Sequence, residues 1–167
     1  MEASAKSAEV AAQVGGLVAE VAGWLEGADR SRLYTAPAEG EWSVMEILAH
    51  IANFLTYWSD AVVEVAAHPG QQFGRGPDDT DRTGYVLAHR NDDPAAMLSC
   101  LRDAGDHARV QLSSLPDGGW EITGIDRRRG EMPTSEIARR HLTKHLAVHF
   151  EEVKATYARV ASGAAPD

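Results

Sequence analysis

The chain has 167 residues and a formal charge of −9, with a sequence pI near 5.2. A single domain over residues 1–167 is expected, since a chain of this size buries about two thirds of its unfolded surface, and the acidic balance argues against a nucleic acid or an anionic membrane surface as partner. No apolar run nears the roughly 20 residues that cross a bilayer and the N-terminus lacks the pattern of a secretory signal, so a cytoplasmic protein handling a small molecule is the reading; the lone Cys100 leaves histidine and carboxylate as the main donors for any metal.

From about Ala3 to Glu26, Val10, Val14, Leu17, Val21, Trp24 and Leu25 recur every three or four positions, the pattern of an amphipathic helix. Gly27 and Asp29 end it. After a connection through Pro37, Gly40 and Trp42, Ser43-Val44-Met45-Glu46 forms a capping box that opens a second helix, which should run to Ala67 because Pro69 disfavours helical geometry at His68. Gln71 to Asp93 is rich in Gly, Pro and Asp and reads as a long connector, with a short helical turn at Tyr85–His89. Asp93-Pro94 opens a third helix whose inner face carries Met97, Leu98, Leu101, Ala104, Ala108 and Leu112. Leu115 to Gly119 breaks it, and Trp120 to Gly130 reads as a polar excursion, a tight hairpin-like loop. Thr134 is expected to cap a fourth helix with Ile137, Leu142, Leu146, Val153 and Val160 on one side, ending near Ser162-Gly163. Beyond it only Ala164 to Asp167 reads as a low-complexity tail. Four striped helices and no convincing strand pattern predict an all-α four-helix bundle, the long second connector leaving room for a crossover.

The last helix carries His141, His145 and His149 at intervals of four, and residues four apart share a helix face. A His-x-x-x-His pair therefore offers two metal ligands. Catalytic zinc takes three protein ligands and leaves a position open. His50 supplies the third candidate, because it falls within the stripe of Ile47, Ile51, Phe54 and Trp58 on the second helix. Each histidine alone is explained as well by a satisfied core or a solvated surface, and a purely structural role for all three stays open.

Trp42-Ser43-Val44-x-Glu46-Ile47-Leu48-Ala49-His50-Ile51-Ala52, then Gly130-x-Met132-Pro133-Thr134-x-Glu136-Ile137 leading to His145-x-x-x-His149, resembles the DinB/YfiT-like superfamily of metalloenzymes from about residue 10 to 160. The abundance of Ala, Gly, Arg and Val with few Lys matches a GC-rich bacterial source. The resemblance implies a crossover four-helix bundle that holds a divalent metal through His50, His145 and His149. It also sets the register of the pair: members place a polar residue three after the second histidine and an aliphatic one four after, which Glu152 and Val153 satisfy, whereas pairing His141 with His145 would put Val148 and His149 there. The family's frequent glutamine is replaced by Glu152, which either orients a ligand or binds the open face of the metal. Some thiol-dependent isomerase relatives use a glutamate where this chain has His145, which sets it apart from that branch.

Members with known activity are mostly transferases or isomerases that use bacillithiol, mycothiol or glutathione, so the expected function is a low-molecular-weight-thiol S-transferase. A metal-dependent hydrolase and a non-enzymatic metal or small-ligand module are the alternatives. All-imidazole ligation suits zinc or nickel, and iron as well. A homodimer is allowed. Other residues carry expectations of their own: His141 is a flanking surface residue or a neighbour of the ligands, Glu46 and Asn53 orient His50, Tyr57 belongs to the core with Phe54 and Trp58 or lines a pocket near His50, and Cys100 is a small buried hydrophobe. His68, His89 and His107 read as solvated. Arg127-Arg128-Arg129 reads either as solvated loop charge or as an attractor for a substrate carboxylate.

Overall fold

The computed structural model of the chain describes residues 4–162, so the expected start at Ala3, the stop at Gly163 and the tail 164–167 lie outside the described residues. Helix α1 spans Ala5–Gly27 and is capped by Ser4, whose hydroxyl accepts from the Ser7 amide; Ala11, Val14, Val18, Val21 and Leu25 form its buried face. Helix α2, Val44–Ala67, starts at the predicted capping box: the Glu46 amide donates to Ser43 Oγ at 3.3 Å and the Ser43 amide to Glu46 Oε2 at 2.8 Å. Its burial is almost all-round because α3, α4 and the last helix all pack on it.

The second connector holds more structure than expected. Strand β1 is Gln72–Phe73, and helix α3, Thr80–His89, begins five residues before the predicted turn, with Asp79 capping the Arg82 amide. Helix α4 is Pro94–Ser113, with Asp93 as its cap and Met97, Leu101, Ala104, Ala108 and Leu112 buried as expected.

The hairpin expected within Trp120–Gly130 is present, but the stretch starts in the core rather than at the surface. Trp120 is fully buried, and its indole N–H donates to Ser7 Oγ at 2.8 Å while the Ser7 hydroxyl donates to the Leu115 carbonyl at 2.7 Å. Strands β2 (Thr123–Asp126) and β3 (Gly130–Pro133) then form a hairpin, Thr123 facing Pro133 and Asp126 facing Gly130, and β1 joins β2 in parallel with Gln72 opposite Ile125. Strands of two to four residues are too short to show a period of two, which is why no strand pattern was visible. Thr134 opens α5 (Thr134–Ala138) without capping it; its hydroxyl donates instead to the Gly119 carbonyl at 2.6 Å and ties the helix to the hairpin base. A π-helical segment, Arg139–Lys144, connects α5 to α6 (His145–Ser162), the three together making the fourth bundle helix.

The side-chain pairs fix the directions of the helices. Val18 meets Gly105, and Arg30 beyond the end of α1 pairs with Asp93 before the start of α4, so α1 and α4 are antiparallel. Glu46 faces Arg90 and Asp60 bonds His107, so α2 and α4 run parallel. Trp58 stacks on His141 while Glu41 pairs with Arg159, so the last helix opposes α2. Two parallel neighbours require the chain to return along the bundle, roughly 36 Å for the 24 residues of α2. The 68–93 connector makes that crossover, as its length allowed. No described helix is long and apolar enough to cross a membrane.

Candidate metal centre

His50 sits near the start of α2 and is only 4% exposed, while His145 and His149 occupy the first turns of α6. Because α6 runs against α2, with Arg159 beside Glu41 and His141 beside Trp58, its first turns lie level with His50 and Phe54 of α2. The three imidazoles meet there, with one nitrogen from each within 4.8 Å of the others. Their ring centroids lie 5.7 Å (His50–His145), 4.8 Å (His50–His149) and 4.3 Å (His145–His149) apart, each pair near perpendicular. His145 Nε2 and His149 Nε2 are 3.1 Å apart. Two nitrogens each bound about 2.0–2.1 Å from one ion are themselves roughly 3 Å apart, so this spacing suits shared coordination.

The outer ring nitrogens are engaged elsewhere. His149 Nδ1 lies 2.6 Å from Glu152 Oε2, and Arg82 Nε donates to His50 Nδ1 at 3.4 Å. The Glu152 contact keeps the His149 proton on Nδ1 and leaves Nε2 free, the role that outer partners of metal-binding histidines commonly play; the Arg82 contact makes His50 Nδ1 an acceptor and so leaves the proton of the neutral ring on Nε2. Burial pushes the His50 pKa down to about 2, with smaller contributions from His149, Arg82, His145 and Arg75. Burial also lowers His145, to about 3. Both are thus neutral near pH 7, as a metal requires. Trp42 and Phe54 stand edge-on to His50, and Phe54 also contacts His145 at 4.6 Å between centroids, giving the cluster an apolar side.

On its other side the cluster opens into a pocket of about 490 Å³, lined by all three histidines, Trp58, His141 and the segments 74–77 and 126–129, with Arg82. His141 is not a surface residue: it stacks on Trp58 at 3.8 Å and 11°, burial lowers its pKa to about 4, and its Nε2 is buried without a hydrogen-bond partner among the described residues. Glu46 and Asn53 do not orient His50. Glu46 is held in the capping box, and Asn53 Oδ1 accepts from Arg75 Nη2 at 2.6 Å. Tyr57 lines a neighbouring cavity with Asp60, Phe73 and Arg127, beneath the Arg75 guanidinium at 4.1 Å from its ring. His68, His89 and His107 are each paired with a carboxylate, of Glu64, Asp92 and Asp60. Cys100 is half-buried, and with His89 and Asp92 it makes a second group of donor atoms within 4.8 Å of one another.

Arg75 and Arg82 carry no motif. Their place in the pocket follows from the β1–β2 pairing, which brings the start of the crossover beside the hairpin.

The chain is thus a helical bundle in which neighbours α2 and α4 run parallel and three imidazoles, a group that could hold a metal ion, converge beside an open pocket. The chain belongs to the DinB superfamily, whose family model matches residues 16–153. Its fold is similar to that of YfiT from Bacillus subtilis, described as a probable metal-dependent hydrolase with an unusual four-helix bundle topology, at a TM-score of 0.73 and 15% identity over 95% of this chain and 90% of that one. It is also similar to the mycothiol-dependent maleylpyruvate isomerase in two crystal structures, at TM-scores of 0.63 and 0.61 and identities of 14% and 13%. That likeness covers 91% of this chain and 59% of the isomerase, so the chain spans about three fifths of that enzyme. No curated protein matches the chain in sequence.

Proposed function

We propose that the chain is a divalent-metal-dependent enzyme acting on a small molecule, with His50, His145 and His149 as the ligands and a low-molecular-weight thiol as one reactant of an S-transfer. The observation that carries this reading is the convergence of the three imidazoles on one wall of an open pocket. The donor set fits a borderline metal such as zinc or nickel, and iron as well. When bound, the metal would supply Lewis acidity that favours the thiolate over the thiol.

The chain's own residues do the rest. Glu152 holds His149 with its Nε2 free and Arg82 anchors the His50 ring through Nδ1, while Phe54 and Trp42 keep water from the side away from the pocket. In the transfer, the thiolate sulfur bonds to an electrophilic carbon as the leaving group departs with the bonding pair. The thiol proton goes to solvent. Among the described residues that line the pocket, the only carboxylate is Asp126, whose Oδ1 already accepts the amides of Arg128 and Arg129 at 2.8 and 2.9 Å. A thiolate needs no base at the moment of attack, and neither does a hydroxide that a metal would generate from water, so the thiol reading is supported by the likeness to a mycothiol-dependent enzyme.

The likeness to YfiT supports hydrolysis as the second reading, with water in place of the thiol. A sequestering module would need the open position blocked, and Glu152, the residue suited to that, is engaged with His149 Nδ1 instead.

Dialysed, metal-loaded protein should retain about one ion per chain by mass spectrometry, and the His50→Ala and His149→Ala variants far less. Bacillithiol, mycothiol or glutathione, each offered with a generic electrophile, should then be consumed in step with conjugate. Ester cleavage without thiol consumption would select hydrolysis, and a wild-type metal content far below one ion would reject the reading.

A further inference from the structure

The −9 chain places five of its 16 Lys and Arg side chains, Arg75, Arg82, Arg127, Arg128 and Arg129, on the wall of the one pocket that the three histidines share. Against them stands Asp126, buried and already accepting two backbone amides. Among the described residues, the guanidinium groups of Arg82, Arg127 and Arg128 make no ion pair with a carboxylate. Arg129 only approaches Asp126, at 4.0 Å.

Two of the five are built into the wall rather than waving from a loop. The Arg75 side chain is 7% exposed, bonded to Asn53 and laid over Tyr57, with its nearest carboxylate, Asp79, at 3.9 Å. Arg82 donates to His50 and to the Pro77 carbonyl and faces the Trp42 ring at 5.1 Å. A buried cation without a close counter-ion costs stability, and burial does lower the Arg75 pKa. Solvated surface charge explains Arg127–Arg129 taken alone. It does not explain Arg75 and Arg82.

We propose that this wall is an anion subsite, and that the small molecule handled here carries a carboxylate or phosphate group held by the guanidinium groups. Arginine is the side chain suited to such groups, because its planar fork binds two oxygens at once. The volume of about 490 Å³ is that of a small-molecule site. The arginines are gathered into a concave pocket, and the acidic remainder of the chain would repel a nucleic acid. The inference rests on the metal-enzyme reading only in placing the other end of the molecule toward the histidines; the arginine wall stands without it.

The test titrates succinate, inorganic phosphate and neutral succinamide into protein stripped of metal and into metal-loaded protein, following Trp42 and Trp58 fluorescence. Succinate or phosphate should bind at least ten-fold more tightly than succinamide in both forms, and more weakly as salt is raised. The arm that binds more tightly identifies the carboxylate or the phosphate. The Arg127→Gln/Arg128→Gln double variant, whose side chains make no described ion pair, should lose at least ten-fold in anion affinity at unchanged metal content. Equal binding of anion and succinamide, or a double variant that binds as wild type, would overturn the proposal. Anion binding with no metal retention would uphold the subsite and sink the metal reading; one ion per chain without anion binding would do the reverse.

Discussion

His149 depends on Glu152 in a way that separates two roles a carboxylate can play beside a metal. With Glu152 Oε2 at 2.6 Å from His149 Nδ1, the carboxylate fixes the tautomer that leaves Nε2 free. Glu152→Ala should therefore weaken metal binding by about 10–100-fold, and Glu152→Gln, which keeps an acceptor, should weaken it less; competition with a chromophoric chelator measures both. At the same scale, burial lowers the pKa values of His50, His141 and His145 to about 2, 4 and 3 from an ordinary 6.5. The unfolded chain thus binds more protons than the folded one below pH 6.5, so stability is full above that value and falls as pH drops toward 4, by up to about 1.4 kcal/mol per pH unit for each group. Urea midpoints of metal-free protein should be lower at pH 5 than at pH 7. Spacing and stripe brought out the candidate ligands because a helix converts sequence interval into direction, while the choice of His145 and His149 over His141 and His145 took the family resemblance. The partners of Asn53 and His141 could not be read this way, since each is chosen by an element distant in sequence, whereas Glu46 was already committed to the Ser43 capping box.

At the scale of elements, the closest approach of α1 to α4 is at Gly105. A Cβ there would stand 2.7 Å from Val18 Cγ1 and 3.1 Å from Cγ2, so Gly105→Ala should destabilise the protein by about 1–3 kcal/mol. Adding Val18→Ala should recover part of the loss, which thermal unfolding of the single and double variants would reveal. Another joint is polar. Ser7→Ala strands the buried Trp120 indole N–H and should cost about 1–3 kcal/mol by the same measurement. The main helices were legible because their apolar residues recur over 20 or more positions, as in α2 and α4, and their caps follow local rules. The small sheet was not, because its two- to four-residue strands owe their pairing to Gln71 and Thr123 backbone bonds that bridge the crossover and the hairpin. Gly124 marks that joint: a Cβ there would meet Val65 at 2.8 Å and the Gln71 carbonyl at 3.0 Å.

For the whole molecule, a metal bound by residues of both α2 and α6 would clamp two bundle helices that are far apart in sequence. Zinc at 100 times its dissociation constant should add about 2.7 kcal/mol to stability; in thermal unfolding the wild type should gain and His149→Ala should not. The crossover was legible as a length, and its direction was not: only pairs such as Glu46 with Arg90 and Asp60 with His107 reveal that α2 and α4 are parallel. The same return of the chain delivers Arg75 and Arg82 to the pocket, which is why the triplet 127–129 was visible in sequence and the full cationic wall was not. The π-helical segment 139–144 carries a consequence for descent. Its wider turns absorb a residue that an α-helix would not hold, so losing one there would swing the preceding turns by about 100°. Thr134 would be pulled from Gly119 and His141 from Trp58. Lineages of this protein should therefore tolerate gaps and insertions at the hairpin tip, while the count of residues from Thr134 to His145 stays frozen.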